Sequence, residues 1–181
     1  MTKGRRGLGL AVAMAAGLVV GLPGTSADAV TANDLSALVG RWQLDPARTH
    51  MGRFGPNGQN MVRAPTFTFV FRPEGRGLRI EVYSEYPQSA PTRTMALIAD
   101  GKQHRCQDKA ACLTVGGDPS EQTYSYARID AHFVVRTFFI KGKVSEYSTY
   151  NVSADGKTFT MMAWSADTPY WQNIQVFNRQ P

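Results

Sequence analysis

The sequence predicts an all-β fold: one antiparallel, up-and-down β-barrel of about eight to ten strands. Three observations carry that prediction. Beyond Val30 no long segment repeats apolar residues at helical spacing. The patterned segments instead alternate, or are rich in β-branched and aromatic residues. The turns between them are short: ADGK at 99–102, DA at 130–131, KGK at 141–143, SADGK at 153–157 and ADTPY at 166–170. Such connections join antiparallel neighbours, because a parallel crossover needs roughly a dozen residues. Closing the meander removes both exposed edges.

The elements follow in order. A single helical turn is expected at Thr31 to Leu38, with Asn33 or Asp34 as cap. Leu38 to Leu44 reads as the first strand. The stretch 45–65 holds Gly52, Gly55, Gly58 and three prolines and is expected to be an irregular surface loop. TFTFVFR is the clearest strand, with Phe67, Phe69 and Phe71 on one face and Thr66, Thr68 and Arg72 on the other. In LRIEVYSE, Leu78, Ile80 and Val82 alternate with Arg79, Glu81 and Tyr83, and Glu81 and Glu85 fall on a face expected to be solvated. Further strands are expected at 93–99, 123–129, 132–140, 144–152, 158–165 and 171–178, with a second long loop at 104–121.

Ahead of these lies an export signal. Lys3, Arg5 and Arg6 precede an uncharged run from Gly7 to Leu22, Pro23-Gly24 breaks it, and Ala27-Asp28-Ala29 offers the small-x-small pattern of signal peptidase. The run is short of the about 20 residues of a spanning helix. Residues 1–29 are therefore expected to be a signal peptide and 30–181 one barrel domain, exported to a periplasm or the extracellular space. Arg5-Arg6 leaves twin-arginine export open beside the general route. Cleavage removes three positive charges and one negative, so the formal charge falls from +6 to +4. That is mildly basic, and no basic run with interleaved aromatics supports a nucleic-acid partner.

Cys106 and Cys112 bracket QDKAA. In an oxidising compartment they are expected to form a disulfide closing that loop. A metal site would need more than His104 nearby, and a redox pair is more often C-x-x-C.

The chain resembles secreted bacterial lipocalin-like domains of unknown function. The resemblance rests on Gly40-x-Trp42-x-Leu44 followed by Asp45-Pro46-Ala47, on Asp100-Gly101-Lys102, on Arg128-Ile129-Asp130, on Gly142-Lys143, and on Val152-Ser153-Ala154-Asp155-Gly156-Lys157-Thr158. It covers essentially all of 30–181. It implies a small calycin-type barrel with room for an internal cavity and brings no catalytic residue. In the wider group a late Arg packs on the first-strand Trp, and the resemblance implies that role for Arg179 on Trp42.

Ser153, Asp155 and Lys157 look like hydrolase chemistry packed into five residues. No G-x-S-x-G accompanies them, a catalytic lysine needs a desolvated site, and Gly156 marks a turn. They are read as a hairpin, and no catalytic residue is assigned. His50, His104 and His132 are scattered, so no metal or other cofactor is expected, and the glycines at 52, 55 and 58 lack the rest of a phosphate loop.

The interior is the better candidate. Phe67, Phe69 and Phe71 would form an apolar wall, with Tyr124, Tyr126, Tyr170 and Trp171 as aromatic contacts. HFVVRTFFI allows two registers. Phe133, Val135 and Phe139 inward leaves Arg136 in solvent, the preferred reading. Val134 and Phe138 inward puts Arg136 inside, where it would favour an anionic amphipathic ligand such as a fatty acid. The expected function is non-enzymatic binding of a small apolar or amphipathic molecule. The alternative is a protein-interaction module, a protease inhibitor or envelope-assembly factor, with a filled core and contact loops at 45–65 and 104–121.

Overall fold

The computed structural model describes residues 32–53, 60–62, 66–106, 118–167 and 171–181. A 3-10 turn at Ala32–Leu35 leads into β1 (Gly40–Leu44), followed by β2 (His50–Arg53), β3 (Asn60–Val62), β4 (Thr68–Glu74), β5 (Gly77–Tyr83), β6 (Arg93–Leu97) and β7 (His104–Arg105). A second 3-10 turn at Pro119–Glu121 precedes β8 (Gln122–Arg128), β9 (Phe133–Ile140), β10 (Lys143–Val152), β11 (Thr158–Ser165) and β12 (Trp171–Gln180). All twelve belong to one sheet, and every pairing is antiparallel. Among the described residues no helix is long and apolar enough to cross a membrane.

The number of strands exceeds the expected count because two strand lines are interrupted. β1 and β2 lie along the same edge of β12, Leu44 opposite Phe177 and His50 opposite Ile174. Between them the chain kinks at Asp45-Pro46, where Pro46 has no N–H to give the ladder. The Asp45 carboxylate holds the kink by accepting from the Ala47 N–H at 3.0 Å and from Arg48 at 2.8 Å. β3 and β4 are likewise one broken line, pairing with β2 and β1 in turn. The stretch 45–65, expected to be irregular, therefore contains β2 and β3. A hairpin can form there because backbone pairing asks little of side-chain alternation in so short a run. β6 and β7 are two separate strands that run in opposite directions, joined by the turn at 98–103. Arg93–Leu97 pairs with β5, Asp100 bridges Ala127, and His104–Arg105 pairs with β8. β6 and β7 are thus the two edges of the sheet, and the chain crosses the seam between them at 98–103.

Alternation along each strand decides which side chains face in. Trp42, Phe71, Leu78, Ile80, Leu97, Val134, Val152, Phe159 and Phe177 are at most 2% exposed. Their rings interlock: Phe69 stacks on Phe177 at 5.0 Å, Phe159 on Phe177 at 5.1 Å, and Trp42 meets Phe159 at 5.6 Å. Each buried side chain of this size contributes about 1.5–3 kcal/mol relative to exposure. Leu35 and Leu38 join this cluster, so the 3-10 turn at Ala32–Leu35 lids one end of the barrel.

Glu81 departs from the sequence reading. It does point outward, but it is buried, because Arg72, Arg79 and the Tyr83 hydroxyl close over its carboxylate at 3.2, 3.1 and 2.9 Å. Burial raises its pKa, but hydrogen bonds from Tyr83 and Arg72 and the charges of Arg72 and Arg79 hold it below the ordinary carboxylate value. Thr68, expected on the polar face, is buried too and donates to Gln43 at 2.7 Å.

Candidate functional site

The two ends of the barrel differ in chemistry. At the lidded end Arg179 lies over the Trp42 ring, 4.0 Å from its centroid. It donates to the carbonyls of Ala37 and Val39, each at 2.7 Å, and to that of Gly156. Partial burial lowers its pKa without bringing it near neutrality. Trp42 Nε1 donates to Leu38 at 2.7 Å, so ring and guanidinium share one backbone segment. The Gly156 carbonyl belongs to the turn that resembles a catalytic triplet. There the Ser153 hydroxyl donates to Asp155 at 2.6 Å, and the Lys157 N–H donates to the same carboxylate oxygen at 3.0 Å. Gly156 sits at φ +69°. Hydrogen bonds from Ser153 and the Lys157 backbone keep the exposed Asp155 below its ordinary pKa, against a smaller effect of burial.

At the other end the inward face turns polar, and the register is the reason. Val134, Arg136 and Phe138 are the buried residues of β9, whereas Phe133, Val135 and Phe139 are half-buried on the outside. The preferred sequence reading, with Arg136 in solvent, is therefore reversed. Pairing decides it: Arg136 stands opposite Tyr126 of β8 and Ser148 of β10, both buried inward. Apolar residues on both faces of HFVVRTFFI had left nothing local to choose between the registers.

A bulge completes the arrangement. Lys143 pairs with Ile140 and Val144 with Phe139, but Glu146 pairs with Phe138, so the ladder slips by one residue at Ser145. Without that slip Glu146 would oppose Thr137 on the outer face. With it, Glu146 faces inward and accepts from Arg136 Nη1 at 2.8 Å. The Ser148 hydroxyl donates to the same carboxylate oxygen at 3.0 Å and accepts from Arg136 at 3.4 Å. Arg136 and Glu146 are 6% and 4% exposed. Burial pulls the Arg136 pKa down, and Tyr126, Tyr150 and Glu146 facing it more than offset this, so it remains a cation. Burial drives the Tyr126 hydroxyl well above its ordinary pKa, and the Tyr124 hydroxyl also upward, so both are neutral donors.

Neighbouring rows of the ladder extend this polar interior. Gln122 opposes Ile140 in the row beyond Phe138 and Glu146, and Gln175 opposes Met161 in the row on the far side of Arg136. Both amides are buried, and the Oε1 of each accepts no hydrogen bond. The inward-facing Met51, Phe67, Val82, Met95, Ile140 and Met161 of this half are only half-buried, although they pack on the core. The barrel is thus tightly filled beside Arg179 and looser and polar away from it.

The sequence-derived residues divide accordingly. Phe69 and Phe71 belong to the filled half, while Phe67, Tyr124, Tyr126 and Arg136 face the polar half or its border. Trp171 opens β12, and its side chain lies outside the described residues, as do Tyr170, Cys112 and the leader 1–29. Cys106 is not a free thiol. His104 pairs with Asp100 at 2.9 Å at the seam, while His50 stands exposed on β2 and His132 lies half-buried in the β8–β9 turn. Among the described residues no three His, Cys, Asp or Glu side chains are gathered to hold a metal. Sequence reasoning passed over Glu146, Ser148, Gln122 and Gln175. The alternation KVSEYSTYNV carries a signal for the first two, hidden by the bulge.

No family model and no curated protein matches the chain. Solved structures do. The chain is similar to secretory abundant heat soluble protein 4 from Ramazzottius varieornatus, with a TM-score of 0.50 and 9% identity over 83% of this chain and 98% of that one. It also matches zebrafish ileal bile acid-binding protein complexed with cholic acid, with a TM-score of 0.48 and 11% identity over 80% of this chain and 99% of that one. At such identities the likeness is one of fold. The class is that of the lipocalin-like, antiparallel up-and-down β-barrels.

Proposed function

We propose that the chain is an exported lipocalin-like binder that takes a small amphipathic molecule into the half of its barrel away from Arg179. The observation that carries this reading is the contrast within one interior. Inward side chains beside Trp42 are sealed, whereas Phe67, Val82, Met95, Ile140 and Met161 keep residual exposure beside a buried polar cluster. A half-filled apolar wall with a few placed polar groups is the ordinary make-up of a ligand site. β2, β3 and the start of β8 lie toward that same end, where they would frame an entrance. The chain acts by binding rather than catalysis on this reading, with no cofactor: Ser153, Asp155 and Lys157 are engaged in a turn.

Residues 1–29 serve as a cleaved leader ahead of the single domain 30–181, and a Cys106–Cys112 disulfide closes the loop beside β7. Intact mass of the exported protein tests both, expecting a start near Val30 and a mass two hydrogens below the reduced form. Native mass spectrometry of protein from its own host tests the function, expecting a bound small molecule. A bulky Ala163→Phe in the Arg136 row should expel it while preserving the fold. Protein that carries no such molecule and binds no fluorescent lipid probe would return the chain to the protein-interaction reading.

A further inference from the structure

The polar half of the barrel has a charge balance that narrows what it can hold. Arg136 and Glu146 neutralise each other at 2.8 Å, and Ser148 bridges to the same carboxylate oxygen. An entering monoanion finds no bare cation. It would have to displace Glu146, stranding that carboxylate among buried groups, or share Arg136 with it at close range in a low-dielectric interior. What two of its buried amide oxygens lack is a donor. Gln122 and Gln175, 1% and 5% exposed, each present an Oε1 with no hydrogen bond, and the register sets them on either side of the ion pair. The Gln175 amide nitrogen is directed to the Met51 sulfur at 3.8 Å, a weak acceptor. Tyr124 and Tyr126 remain protonated and add no charge.

Building on the reading that the interior binds a small amphipathic molecule, we infer that its ligand is an uncharged amphiphile whose head group donates hydrogen bonds, a hydroxyl or an amide, and not a simple carboxylate. A hydroxyl both donates and accepts, so it can serve an orphan Gln carbonyl and take a bond from Arg136 without breaking its pair. The tail would lie on Phe67, Ile140 and Met161.

The test compares two probes with the same tail. The mature protein is titrated by calorimetry with glycerol monolaurate and with laurate, each below its micellar concentration. The expected result is that the glycerol ester binds about tenfold more tightly, the ratio one or two net hydrogen bonds supply. Gln122→Leu and Gln175→Leu should each weaken the ester several-fold and leave laurate unchanged. Glu146→Gln keeps the shape but uncovers the Arg136 charge, and it should shift preference toward laurate. Wild-type protein that binds laurate as tightly as the ester overturns the inference, as does an unchanged preference in all three variants. Should Glu146→Gln fail to fold, as thermal melts would reveal, the two Gln variants decide alone. Natively folded wild-type protein that binds neither probe refutes the interior-binding reading itself, a separate failure from the wrong selectivity.

Discussion

The guanidinium of Arg179 lies 4.0 Å from the centre of the Trp42 ring and donates to carbonyls from two separate parts of the chain, Ala37 and Val39 on one side and Gly156 on the other. One side chain of the last strand thus pins the 37–40 segment and the β10–β11 turn across the end of the barrel. Gly40 makes room for it: at φ +130°, a Cβ there would come within 2.7 Å of Arg179 Nη1.

Removing this group should open the lidded end. Arg179→Ala loses several hydrogen bonds and a cation–π contact, and we expect about 2–4 kcal/mol of destabilisation in urea unfolding. Arg179→Lys should recover little, because an ammonium cannot reach all three carbonyls in the geometry of the planar fork.

The buried pair should behave asymmetrically. Arg136→Ala strands Glu146 and is expected to cost about 3–5 kcal/mol. Replacing both partners, as Arg136→Met with Glu146→Leu, should restore most of that loss because no uncompensated charge remains. A double-mutant cycle by chemical denaturation measures the difference.

Two glycines of one hairpin should respond differently to alanine. At Gly77 a Cβ would run into the backbone carbonyl of Leu97, so β5 and β6 would have to part, at about 2–4 kcal/mol. Gly75 has φ +57° and open space around it, so Gly75→Ala should cost only about 1 kcal/mol of backbone strain. Unfolding midpoints of the two variants give the comparison.

The seam should weaken in acid. Burial raises the pKa of Asp100, but its bonds to His104 and to the Lys102 N–H outweigh this and hold it below its ordinary 3.8. The unfolded chain therefore takes up this proton first as pH falls. The stability contribution of Asp100 is complete above its unfolded pKa and is lost as pH drops through the lower folded value. Asp100→Asn should be less stable than wild type at pH 7 and lose less stability between about pH 5 and pH 2. Urea midpoints across that range test the sign.

Much of the barrel was legible because strand alternation and short turns are local. The limits of β9, β10 and β11 fall within a residue of those expected, and TFTFVFR faces its phenylalanines inward as its pattern predicts. The turn around Asp155 was readable for the same reason, since Ser153, Gly156 and Lys157 make their bonds within five residues. The shortest strands were not: β2, β3 and β7 are too short to alternate and exist because a neighbouring edge was there to pair with.

The sequence by itself determined the all-β class, the antiparallel order of the strands and the reading of Ser153, Asp155 and Lys157 as a turn, all consequences of residues near one another in the chain. Tertiary structure decided the site. HFVVRTFFI is apolar on both faces, so only its pairing with Tyr126 and Ser148 could turn Arg136 inward. Glu146 reaches it through a one-residue bulge at Ser145. The side-chain period of a strand is two, so a single such slip exchanges the inner face for the outer.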